Sequence, residues 1–385
     1  MASWNRWLSV VVAVLLLLPF VAGCASGGAA EPYKIGALFA VTGNNSPLGT
    51  PEKETAVMLE EQINAKGGIK GRKVQVIVYD TESDETKAVT LAKRLIEQDN
   101  VLAIVGPTST GESMALQDTI AKAQIPMISC ASGAQIVNPI KPYVFSTPQI
   151  STLAVVEVRD YLKAKGLTKV AVLSDSGGWG TTGKSDLGNA LPPAGIQIVA
   201  NESFGVQDKD MTVQLTKIRG TDAQALVVWG TNPGPSIIAK NAKQLGLKIP
   251  IINSHGVANR DFINLAGDAA NDVVLPAGKL LVAKDLPDSD PQKALLLAYA
   301  KDFEAKYKKS ADTFGGHAYD ALQMVFKALE GGADTRTKLR DALEASKGVV
   351  GIGGTFNISA QDHNGLGKGA FVMVRIKNGE WTWEK

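Results

Sequence analysis

The stretch Val101–Gly133 restricts the fold more than any other part of the chain. Its apolar run Val101–Val105 breaks at Gly106-Pro107, which neither a strand nor a helix continues through. Thr108, Ser109, Thr110 and Gly111 follow, where a helix over about Glu112–Ala123 would begin. Their hydroxyls can cap that helix while its first backbone N–H groups point outward. A second apolar run, Pro126–Ser129, ends in the small-residue turn Cys130-Ala131-Ser132-Gly133. Two neighbouring strand ends then present hydroxyls and amides at one edge of a parallel sheet, a place where small anionic groups bind. The same hydroxyls could equally serve as helix caps and nothing more.

The alternation extends over the rest of the chain. Lys34–Val41 reads as a strand, Pro51–Ala65 as a helix, Lys73–Asp80 as a strand and Glu85–Gln98 as a helix. A second set follows Tyr143–Gln149: helix Leu153–Lys165, strand Lys169–Asp175, short helix Gly183–Leu191, strand Ile196–Ala200, helix Asp210–Arg219, strand Ala225–Gly230, helix Ser236–Leu245 and strand Ile249–Asn253. Helices Pro291–Lys308, His317–Glu330 and Thr335–Ala345 and strand-like runs at Gly354–Ile358, Ala370–Ile376 and Trp381–Trp383 complete the chain. Such regularity predicts an α/β fold in which parallel sheets are covered by helices on both faces, repeated in two domains. The length of 385 residues suffices for two cores.

The N-terminus indicates an address. Arg6 is its one charge, Trp7–Phe20 is apolar, and Val21-Ala22-Gly23-Cys24 resembles the lipobox of bacterial lipoproteins. The apolar run is shorter than the ~20 residues of a spanning helix, so residues 1–23 read as a cleaved signal peptide and Cys24 as the acylated first residue. Residues 24–32 would form a flexible lipidated tether, leaving the protein exported and anchored to the bilayer. Cys130 is then the one free thiol, read as core packing. A formal net charge of +2 argues against nucleic acid as a partner.

Signs of catalysis are thin. Gly178–Ser185 satisfies the phosphate-loop pattern GxxxxGK[ST] and follows a strand. Against a nucleotide hydrolase stand Pro192-Pro193, which cut the following helix short, the lack of a later strand ending in a magnesium-binding Asp, and the exported setting. His255, His317 and His363 are too scattered for a metal spacing, and no GxSxG elbow occurs. We therefore expect neither an enzyme, a metal nor a cofactor.

Asn64-Ala65-Lys66-Gly67-Gly68-Ile69-Lys70-Gly71-Arg72, followed by a strand ending at Asp80, resembles the N-terminal signature of the leucine/isoleucine/valine-type solute-binding proteins of bacterial ABC importers. Thr42-Gly43 and Val105-Gly106-Pro107 fall at matching places. The resemblance implies two doubly wound lobes joined by a three-crossing hinge and closing over a solute. Residues 33–149 and 279–354 would form lobe 1, and residues 150–278 and 355–385 lobe 2. It further implies that Thr110 holds a ligand carboxylate, aided by Ala131, Ser132 and Gly133. Trp179 and Phe314 would line the side-chain pocket, and membrane permease subunits would be partners.

At three positions the chain departs from the pattern. Leu48 and Thr231 stand where amino-acid binders place aromatics, and His255 replaces the acid that takes the ligand's ammonium. An ammonium buried without a carboxylate costs on the order of several kcal/mol. The expected ligand is therefore a small organic acid without an α-ammonium, aromatic or branched aliphatic, with His255 donating a hydrogen bond to it; a branched-chain amino acid is the alternative.

Overall fold

The computed structural model describes Met1 and residues 30–385. The signal peptide, Cys24 and most of the tether expected from the sequence lie outside the described residues.

The first unit runs β1 (Tyr33–Phe39), α1 (Ser46–Ala65), β2 (Val74–Asp80), α2 (Glu85–Glu97), β3 (Ile104–Val105), α3 (Thr110–Ala123), β4 (Met127–Ser129) and β5 (Val144–Ser146). These strands form one sheet of order β2-β1-β3-β4-β5, parallel throughout. The second unit runs α4 (Ser151–Ala164), β6 (Lys169–Asp175), α5 (Gly178–Ala190), β7 (Gln197–Phe204), α6 (Thr212–Arg219), β8 (Ala225–Trp229), α7 (Gly234–Gln244), β9 (Ile251–Asn253), α8 (Arg260–Ala266) and β10 (Val274–Gly278). The chain then adds α9 (Lys293–Tyr307), α10 (Thr313–Glu330), α11 (Arg336–Glu344), β11 (Val349–Val350), β12 (Thr355–Phe356), β13 (Phe371–Lys377) and β14 (Glu380–Trp383). The second sheet has the order β14-β13-β10-β9-β8-β6-β7. Its last two strands pair antiparallel beyond β10.

Counted within each unit, the parallel strands take the order 2-1-3-4-5. Each sheet thus has a switch point, between β1 and β3 in one and between β6 and β8 in the other. Doubly wound sheets bind ligands in the crevice outside the strand ends at such a point. The strands carry near-continuous buried runs because helices cover both faces. Ile35, Phe39, Val105 and Phe145 pack with Leu322 and Val325 of α10, while Leu38 and Ile104 pack with Leu95 and Leu116 on the other face.

Three chain crossings join the units, and Gln149 touches them all. Its Nε2 donates to the carbonyls of Gly353 (2.8 Å) and Ala370 (3.1 Å). A Cβ built on Gly278 would lie 3.2 Å from the same nitrogen. The third crossing lies later than the sequence suggests. Residues 355–370, expected in lobe 2, pack with the first sheet: Phe356, Ile358, Leu366 and Ala370 join its core. His363 stacks on Phe145 with centroids 4.3 Å apart. Asn364 donates to the carbonyls of Ser146 and Pro148. The chain passes to the second sheet at Phe371, opposite Gly278.

Four helices differ from expectation, among them α10, which begins at Thr313 instead of His317. Helix α5 begins at Gly178 instead of Gly183, and α8 was not foreseen. Helix α1 begins at Ser46, so Pro51 sits inside it. Having no N–H, Pro51 leaves the Pro47 carbonyl without its i→i−4 partner. That carbonyl accepts instead from Asn259 Nδ2 of the second unit, at 3.2 Å.

Candidate functional site

The two switch points face each other across a cavity of about 190 Å³. It is lined from the first unit by the turns after β1, β3 and β4 and from the second by those after β6, β8 and β9. Leu48, Thr110, Ala131, Ser132, Trp179, Thr231, His255 and Phe314 all border it. Gly133 lies just behind the lining; a Cβ there would run into the Thr110 side chain.

The first-unit wall is a corner rich in donors. Ser109 caps α3 in a capping box, its hydroxyl accepting from the Glu112 amide while Glu112 Oε2 accepts from the Ser109 amide. Thr110 is thereby the first helical residue, and its hydroxyl is not consumed as the cap. The amides of the first helical turn have no intrahelical acceptor, and the helix dipole adds a positive end. Hydroxyls of Ser113 and Ser129, 2.8 Å apart, tie α3 to the end of β4. Ala131 lines the cavity with both backbone groups engaged, its amide on Ser129 Oγ (3.0 Å) and its carbonyl on Ser146 Oγ (3.1 Å). Cys130 borders the cavity while buried in the first core, and burial pushes its thiol up.

The second-unit wall is aromatic. Trp179 packs on Trp229 (centroids 5.2 Å) and meets His255 edge-on (5.0 Å); His255 in turn meets Phe371 edge-on (4.9 Å). Trp179 Nε1 donates to Ser254 Oγ at 3.3 Å, which fixes the indole plane. Asp175, at the end of β6, accepts from the amides of Gly177 (2.8 Å) and Gly180 (3.1 Å) and so holds the turn that carries Trp179. Burial pushes its carboxyl up despite those bonds.

His255 is buried, and neither ring nitrogen has a hydrogen-bond partner among the described residues. Burial pushes its pKa down to about 3, offset in part by the nearby Gln149 backbone. At neutral pH it is therefore an uncharged ring that carries one donor and one acceptor, both buried beside the cavity that the residue borders.

The glycines of the Gly178–Ser185 motif are packing devices. A Cβ on Gly180 would strike the Asp175 carbonyl, and one on Gly183 would enter the Trp229 indole. One on Gly178 would lie 3.1 Å from the Gly111 amide nitrogen of the first unit. The segment is helical from Gly178 and makes no phosphate loop. Lys184 Nζ lies outside the cavity on Ser203 Oγ at 3.2 Å. No group of three or more His, Cys, Asp or Glu among the described residues could hold a metal. No described helix is long and apolar enough to cross a membrane.

The units touch around the cavity. Thr231 Oγ1 lies 3.5 Å from Asn45 Oδ1, and Gln135 Nε2 meets Thr182 Oγ1. Asn45, Glu85, Asp175, Phe204 and Asn232 line the cavity but were missed from the sequence. Asp175 ends its strand as the sequence suggests, a usable signal, whereas β7 runs on to Phe204, past the Ala200 where the sequence suggests it stops.

The chain is similar to known proteins over nearly its whole described length. A leucine-, isoleucine-, valine-, threonine- and alanine-binding protein of Pseudomonas aeruginosa is 27% identical, over 85% of this chain and 86% of that protein. An extracellular ligand-binding receptor of Rhodopseudomonas palustris superposes with TM-score 0.87 at 25% identity, covering 92% of this chain and all of that one. The branched-chain amino acid transporter substrate-binding protein of Streptococcus pneumoniae, solved with isoleucine, gives TM-score 0.82 at 26% identity, covering 91% and 98%. A sequence profile described as periplasmic binding protein matches residues 32–380. The chain therefore belongs to the periplasmic binding protein family, whose two-lobed α/β members are solute receptors and not catalysts.

Proposed function

We propose that this protein is the extracytoplasmic receptor of an ABC importer of the branched-chain amino acid type, closing two lobes over an aliphatic α-amino acid and handing it to membrane permease subunits. The observation that carries this reading is the cavity between the switch points. Its first-unit corner offers the Thr110 hydroxyl and helix-end amides to a carboxylate, and its second-unit wall offers Trp179, Phe204 and His255 to an apolar group. The amino acids named for the Pseudomonas and Streptococcus relatives agree with it. Lobe closure excludes water, so the donors act in a low-dielectric site. Cys24, acylated, would tether the receptor beside its permease; mass spectrometry of membrane-extracted protein tests that part.

A second reading, an acid lacking the ammonium, is favoured by His255 alone, since a neutral ring supplies no charge to an ammonium. Calorimetry separates the two. Leucine, isoleucine and valine are titrated beside 4-methylpentanoate and benzoate, with Thr110→Val as control. Tight binding of an amino acid that Thr110→Val weakens supports the first reading; binding of the acids with no heat from any amino acid replaces it with the second.

A further inference from the structure

If the ligand is an α-amino acid, its ammonium needs a counter-charge, and the cavity wall supplies one in an unexpected place. This inference rests on the amino-acid reading above. Glu85 and Asp175 are the two acids among the lining residues. Asp175 is committed: it is buried and accepts from the amides of Gly177 and Gly180. Glu85 is not. It opens α2, where the cap is made by its neighbour Asp84, which accepts from the Lys87 amide. The nearby ammonium of Lys87 pairs with Glu82 instead.

The Glu85 carboxylate reaches back to Gly111, where an added Cβ would collide with its Oε1. Gly111 follows Thr110 at the start of α3, in the donor corner itself. In an α-amino acid the two charged groups sit on one carbon. A carboxylate held at Thr110 thus leaves the ammonium within a few ångströms, on the order of a hydrogen-bond length from that corner. Across the gap, Gly178 of the second unit is set against the Gly111 amide, while Glu85 itself stays exposed at the rim.

We propose that Glu85 is the specificity-determining residue that accepts the ligand's ammonium. The pair is charge-assisted, and because Glu85 is exposed it has the modest strength of a solvent-screened ion pair. The same carboxylate repels a ligand that brings a carboxylate without an ammonium, so it both selects and rejects.

The test is calorimetry of leucine and of 4-methylpentanoate, which is leucine without its amino group, on the unaltered protein, Glu85→Gln and Glu85→Asp. Melting curves of each variant report folding. Glu85→Gln is expected to weaken leucine by about two- to fivefold and to leave 4-methylpentanoate unchanged or tighter, with Glu85→Asp between. Leucine affinity indifferent to Glu85→Gln, or an equal loss for both ligands, overturns the assignment and leaves the receptor reading standing. An unaltered protein that binds no aliphatic amino acid overturns the amino-acid reading, and the assignment with it.

Discussion

Gly133 sits so close beneath Thr110 that a Cβ added to it would fall 3.0 Å from the threonine hydroxyl oxygen and closer still to its methyl. The glycine holds the hydroxyl in place without lining the cavity itself. Thr110→Val, which keeps the shape and removes the hydroxyl, should therefore cost about 1.5–3 kcal/mol of binding to a carboxylate. Gly133→Val should weaken binding in the same direction by displacing an intact hydroxyl. Isothermal calorimetry on both variants checks this; normal affinity in Gly133→Val would mean that Thr110 is positioned by α3 alone.

Gly183→Ala tests whether the Gly178–Ser185 motif is packing or nucleotide chemistry. In an open helix interior the change would stabilise by about 1 kcal/mol. Here the new methyl enters the Trp229 indole, and overpacking costs about 1–3 kcal/mol, so the net sign reverses. Lys184→Ala, on the exposed face, should stay within about 0.5 kcal/mol of the parent. Urea melts of the two variants decide it, and a stabilised Gly183→Ala would contradict the packing.

Gln149 is the tie between the crossings. Gln149→Ala leaves the Gly353 and Ala370 carbonyls buried without their donor, a loss of about 2 kcal/mol or more. Reduced melting stability should be accompanied by faster hydrogen exchange around residues 353 and 371. Faster exchange confined to a site far from the crossings would count against this role.

Asn259 links the two units by donating to the carbonyl that Pro51 leaves free. Asn259→Ala also removes the cap that receives the Phe262 amide, at 3.3 Å. It should lower stability by about 1 kcal/mol through that cap and weaken ligand by disfavouring closure. The cap-preserving Asn259→Asp keeps the oxygen but loses the donor to Pro47. In that variant ligand affinity should drop while helix stability holds, as calorimetry and melting curves would show together.

His255 gives a pH signature. Its pKa is lowered from 6.5 to about 3 by burial, so the fold disfavours the charged ring. The stability it permits is fully present above pH 6.5 and is lost as pH falls from there toward 3, because the unfolded chain takes up a proton that the native ring refuses. Asp320, buried against the Ile352 and Gly353 amides and pushed up to about 7, acts in the opposite sense. The His255 contribution is therefore read as the difference between the parent and His255→Asn denaturation profiles. That difference should shrink from pH 7 to pH 4, and a constant difference would show that the ring titrates normally.

The alternation of apolar runs and helical segments determined the α/β class, the parallel pairing and the repetition in two units, because period and burial pattern are local properties that a single chain displays. The break at Gly106-Pro107 with Thr110 behind it marked the donor corner for the same reason. Helix α5 starts at Gly178, before the Gly183 that the sequence suggests, because Asp175 holds the Gly177 and Gly180 amides and Gly183 packs on Trp229, contacts that outweigh the low helix propensity of its glycines. Residues 355–370 joined the first core through Phe356 and the stacked His363, partners more than 200 residues away in sequence. Nothing local could have placed Glu85 beside Gly111, or Asn259 on Pro47. Which strand ends face one another across the gap depends on how two finished sheets are set against each other, and long-range packing alone fixes that.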